Sequence, residues 1–192
     1  MTPQRIAVKL FPTSPPGEEF DLAPFTPLFH RFIQDASVPG LLVDVADYAH
    51  VPDGPGIVLI GHEVDYGIDS VGGRTGLLVV RKRCGSSSLA DSVRDALSKA
   101  AACAQAIEHD GGTGLRFDAS EIELQIFDRL AAPNDDATFE KVRADLKAAL
   151  PFLEDDAAIE RSAGDDDRKA AAVVLRPAGG LDIAGLRAHV GG

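Results

Sequence analysis

Residues Gly40–Arg83 read GLLVDVADYAHVPDGPGIVLIGHEVDYGIDSVGGRTGLLVVRKR, and the parsing of this stretch decides the fold. Three apolar runs of strand length lie in it: Leu41–Asp47, Gly56–His62 and Thr75–Lys82. Between the first two stands YAHVPDGP (48–55), built from turn formers. A parallel connection needs about a dozen residues or more. If these two strands are neighbours, they therefore form an antiparallel hairpin. Gly72-Gly73 before Arg74 marks a second tight turn and favours another hairpin. The stretch is expected to form the centre of a sheet, with its turns on the rim of any pocket.

Working outward, Arg5–Phe11 alternates with Ile6, Val8 and Leu10 on one face and reads as a first strand. Pro12–Pro24 is loop chemistry carrying Glu18, Glu19 and Asp21. Thr26-Pro27 reads as an N-cap followed by proline in the first turn, opening a helix that ends near Asp35. This strand–helix–strand order predicts a right-handed parallel crossover from the first strand to the second. Beyond the stretch, Leu89–His109 takes helical spacing, with Ser88 and Asp91 as a capping pair and Gly111-Gly112 as the stop. Leu115–Asp118 and Ile122–Phe127 read as a hairpin turning at Asp118–Glu121. A helix follows from Pro133–Asp136, its stripe Phe139, Val142 and Leu146, and Pro151 ends it. Strands near Ala158–Ser162 and Ala170–Arg176, then a helix over Ile183–Val190 capped by Asp182, close the chain. No internal repeat is evident. The expected fold is α+β: a mixed, largely antiparallel sheet with helices packed on it, in the order β-α-β-β-β-α-β-β-α-β-β-α. It forms a single domain over 1–192, with 84–88 the place where a sub-division would fall.

Composition excludes several classes. With 45% hydrophobic and 26% charged residues, the chain can bury a core and is not disordered overall. Trp is absent, so aliphatic residues must fill that core. A net charge of −11 disfavours nucleic acid and anionic membranes as partners. Arg81-Lys82-Arg83 is the local exception and reads as a solvated strand edge. No apolar run approaches the roughly twenty residues of a membrane span, and the N-terminus has no signal-peptide core, so the chain reads as cytoplasmic. Cys84 and Cys103 lack metal spacing and are too few for a disulfide framework. Cys103 reads as a core residue, while Cys84, beside cations, is a candidate for an activated thiol.

Two constellations could carry chemistry. The first is His62, Glu63 and Asp65, which would take a divalent metal or do acid–base work; Asp69 and Arg74 follow as ligand-binding candidates. On a continuous strand His62 would face away from Glu63 and Asp65, so the three meet only if the chain bends after Gly61. The bland account is a polar strand end. The second is Asp47 and His50, at the other end of the hairpin from His62, which the Glu18-Glu19-Asp21 loop and Arg81–Arg83 could join; here the bland account is a solvated loop. Asp44, apolar on both sides, is expected to be buried and held either by an arginine, for which Arg129 or Arg74 would serve, or by backbone amides. The acidic run Glu154–Asp167 lacks the offsets of a calcium loop and reads as surface.

At DVADY (44–48), GPGIVLIGHEVDY (54–66) and DRLAAPN (128–134), with FHRFIQ (29–34) before them, the chain resembles a family of uncharacterised bacterial proteins. The likeness runs from the first strand to about Leu150. It implies a bacterial cytosolic setting and no activity or catalytic residues. The leading expectation is therefore a small-ligand or divalent-metal binder using a His/carboxylate rim. The alternative is an interaction or homo-oligomeric assembly protein, using its sheet edge or its Ala-rich helix. A hydrolase with a His/Asp base is a weaker third.

Overall fold

The computed structural model describes residues 1–14, 20–52, 54–153, 158–162, 164, 166 and 168–191. The fold is α+β. Its strands are β1 (Ile6–Pro12), β2 (Leu42–Tyr48), β3 (Gly56–Gly61), β4 (Val64–Asp69), β5 (Gly76–Arg81), β6 (Phe117–Ile126), β7 (Ala158–Arg161) and β8 (Ala171–Arg176). Its helices are α1 (Phe25–Asp35), α2 (Leu89–Asp110), α3 (Asp136–Ala149) and α4 (Ile183–Val190). One sheet holds all eight strands in the order β2-β3-β4-β5-β1-β6-β8-β7.

Every pairing in that sheet is antiparallel, so the expected mixed sheet is corrected. The parallel crossover is corrected with it. Helix α1 does join β1 to β2, and alternation leaves the two strands pointing the same way, but three strands lie between them. The chain crosses to the far edge and meanders back through β3, β4 and β5 to pair with β1. The Gly40–Arg83 stretch thus runs from an edge inward, and β5 and β1 occupy the middle of the sheet.

The number of strands expected matches the number found because two misreadings cancel. Val64–Asp69 is a strand, its Val64, Tyr66 and Ile68 alternating with Asp65, Gly67 and Asp69; the polar phase hid the period of two. Conversely, Asp118–Glu121 does not turn the chain back. These residues lie inside β6, where the ladder with β1 shifts register between Leu10 and Pro12 and β6 carries the extra residues as a bulge.

Local signals elsewhere are as read. Ser88 and Asp135 accept the N–H groups of Asp91 and Thr138 at the starts of α2 and α3, and Asp182 caps α4 through Gly185. Helix α1 is the exception. It starts at Phe25 with Pro24 at its cap position, and the Thr26 hydroxyl is a buried atom with no partner among the described residues.

The helices cover one face of the sheet. Ile57, Leu59, Tyr66, Ile68, Leu77, Val79, Ile6, Val8, Leu10, Ile122, Leu124 and Leu175 point into that layer and are fully buried. Helix α2 lies over β1 and β5 and packs against both α3 and α4. Its Ala96, Ala100, Ala101, Cys103 and Ala104 are buried, so its small-residue stripe is used within the chain and is not free for a second copy. The core also accounts for the cysteines: both are buried, and burial pushes the Cys103 thiol well above the usual range. Among the described residues, no helix is long and apolar enough to cross a membrane.

The path repeats itself in outline. From central β1 the chain passes through a helix to the β2 edge, meanders inward to β5 and ends in α2. From β6, the antiparallel neighbour of β1, it passes through α3 to the β7 edge, returns by β8 and ends in α4. The second half is two strands shorter. The order of elements carries this likeness of path, which residue identity did not reveal.

Candidate functional site

Among the described residues, no helix lies on the other face of the sheet. In an antiparallel ladder, directly opposed residues share a face. Leu78 and Glu123 flank Lys9, Val80 and Gln125 flank Ala7, and Val174 lies beyond Glu123. This open face holds a groove of about 610 Å³ along β1, β4, β5, β6 and β8, with Lys9, Asp69, Arg74, Glu123, Gln125, Ser162 and Lys169 as its polar lining.

At its floor Lys9 Nζ donates to Asp69 Oδ1, and both side chains are nearly as buried as the core, 6% and 7% exposed. Gly76 makes the reach possible. It sits opposite Asp69, and a Cβ there would lie 2.6 Å from the Leu10 carbonyl oxygen and 2.9 Å from Lys9 Cε. The lysine chain therefore lies across the glycine to meet the acid. Asp69 Oδ1 also accepts the Val71 N–H at 3.3 Å, tying the β4–β5 turn to the pair.

A polar chain leaves the groove toward β7. The Arg74 guanidinium lies 3.9 Å from the centroid of the Phe11 ring and donates to Glu121 at 2.5 Å. Arg176 holds the other Glu121 oxygen at 3.0 Å and reaches Glu160. Partial burial pushes the Glu121 carboxyl up, but the hydrogen bonds and charges of Arg74 and Arg176 outweigh it and hold the group below the usual glutamate range. Beside them Gln125 donates to Glu123 at 2.6 Å.

Asp69 and Arg74, read from the sequence as ligand-binding candidates, thus come together at this groove. Asp47 and His50 do not join them. Asp47 accepts the Ala49 N–H in a local turn, and both side chains are exposed at the β2 edge. Arg81–Arg83 lie at the opposite end of the sheet, since Arg81 pairs with Val64 while Asp47 pairs with Ile57. Asp21 is exposed, and Glu18 and Glu19 lie outside the described residues.

His62 and Glu63 form the exposed turn between β3 and β4, so the chain does bend after Gly61. They do not converge with Asp65 around a common point. Asp65 accepts the Gly61 N–H at 3.1 Å and pairs with Lys82 at 2.8 Å, while His62 Nε2 lies 3.2 Å from an Arg83 nitrogen. Among the described residues, no three His, Cys, Asp or Glu side chains are grouped as a metal ion requires. Asp44 is corrected in its burial: it is exposed on the edge strand, and of the two kinds of partner expected it takes a backbone amide, accepting the Val45 N–H at 2.8 Å. Within the acidic run, Glu154–Asp156, Asp165 and Asp167 lie outside the described residues; Glu160 is exposed, and Asp166 is clamped by Arg168.

Sequence reasoning missed Lys9, Phe11, Glu121, Glu123, Gln125 and Lys169. A signal for most of them was present. On β1 the positions out of phase with Ile6, Val8 and Leu10 are Ala7, Lys9 and Phe11, and on β6 they are Glu121, Glu123 and Gln125. Apolar residues in one phase and charged ones in the other mark an antiparallel sheet with one uncovered face. No protein-family model matches the chain, and no curated protein matches it.

Proposed function

We propose that this protein binds a small polar ligand in the groove on the open face of its sheet. The observation that carries the reading is the Lys9–Asp69 pair at the groove floor. Taking two charges out of water costs several kcal/mol per ion before their attraction is counted, and a hydrophobic pair of similar volume is often as stabilising. Two apolar residues would fit a sheet interior without that cost, so the pair points to a task other than holding the sheet together. Pockets with a few convergent polar groups are the usual form of small-molecule sites. With this reading go a cytosolic setting, which the two free, buried cysteines suit, and the bacterial origin that the resemblance implies.

A fragment panel followed by amide chemical shifts tests it. Hits are expected to map to Lys9, Asp69, Arg74 and Glu123 and to be lost in Lys9→Met/Asp69→Leu, which keeps the fold. Hits that map elsewhere, or that survive in the double variant, count against the groove.

A further inference from the structure

We infer that the ligand of this groove is an organic anion, held through a carboxylate or phosphoryl group by Lys9, Arg74 and Lys169. The inference rests on the groove being a ligand site and adds the chemical class. Three cations and two acids stand among its lining residues, a local positive excess in a chain of net charge −11.

The hydrogen-bond inventory points the same way. An ammonium offers more donors than one carboxylate oxygen can use, and a guanidinium offers a fork of them with no acceptor. Asp69 Oδ1 takes one N–H of Lys9 and that of Val71, and a Glu123 oxygen takes the amide of Gln125. The acids on the floor are thus partly spent on neighbours. Arg74 gives one nitrogen to Glu121 and lies over the Phe11 ring, and these two contacts hold the guanidinium in place at the rim. Against the oxygens still open on Asp69, Glu123 and Gln125, the three cations keep the larger number of donors, and charge-assisted bonds to a carboxylate or phosphate are the strong way to satisfy them.

The test uses the full chain, with succinate, inorganic phosphate, putrescine and ribitol as probes at one ionic strength, read by amide chemical shifts. Succinate or phosphate is expected to perturb Lys9, Arg74 and Glu123, and whichever binds tighter identifies the anion's source as carboxylate or phosphoryl. Raising salt should weaken binding. Arg74→Gln, at an exposed residue whose loss leaves the core intact, should weaken it about tenfold, the loss of one charge-assisted contact. Putrescine or ribitol binding in the groove while both anions fail would overturn the anion class and leave the ligand site standing. Silence of the groove toward all four probes, together with no fragment hit there, would remove the site itself. Binding of an anion that is unchanged in Arg74→Gln would also overturn the assignment.

Discussion

Lys9 and Asp69 have different consequences apart than together. Removing one partner of a buried pair leaves an uncompensated charge and typically costs about 3–5 kcal/mol, whereas replacing both with apolar groups is close to neutral. Lys9→Met should therefore lower the unfolding free energy by about that amount, and Lys9→Met/Asp69→Leu should recover most of it. Chemical denaturation decides; equal losses in both variants would mean that an orphaned Asp69 charge is not what the single variant suffers from. Glu121 gives a pH signature of its own. A carboxyl held below its unfolded value contributes stability that is complete above the unfolded pKa and disappears as pH falls through the folded one. Glu121→Gln should accordingly lower thermal stability near neutrality and flatten the acid limb, its difference from the parent protein vanishing as pH falls below the folded pKa. An acid limb of unchanged slope would show that Arg74 and Arg176 do not act on this group as the distances suggest.

At the scale of elements, what could be read from the sequence followed from local chemistry. Caps at Ser88, Asp135 and Asp182 stand out because a short polar side chain before a helical stripe has one clear job. Strand neighbours could not be read this way. The order β2-β3-β4-β5-β1 depends on which ladder closes after α1 crosses the sheet, and no single residue encodes it. The site was half legible for the same reason: Asp69 and Arg74 share a turn, while Lys9 and Glu123 reach it only through pairing across the sheet. The two edges also differ in a way the sequence hid. Strand β7 is short and carries Glu160 and Arg161, both engaged in ion pairs. Strand β2 is longer, exposes Val43 and Tyr48 with Leu41 just before it, and has Asp44 on the Val45 N–H. Long apolar edges invite pairing with another chain, and charge is a common guard. Asp44→Val should raise the proportion of self-associated protein in sedimentation velocity; an unaltered distribution would deny Asp44 that role.

For the whole molecule, the two halves meet along the β1–β6 ladder and where α2 packs on α4. Neither half closes its own core, because α2 of the first lies against α4 of the second. Thermal unfolding followed by near- and far-ultraviolet circular dichroism should give coincident transitions. Separated curves would mean that the halves are independent units. One further consequence belongs to Gly76. Because the Lys9 stem crosses its bare backbone, sliding β5 by a single residue against β1 would set Thr75 or Leu77 in the lysine's path. The glycine works as a gauge: only correctly aligned strands let the ammonium reach its carboxylate. Competence to capture a guest should therefore arise during refolding no earlier than the middle of the sheet locks into alignment, which would make groove occupancy a reporter of that late event.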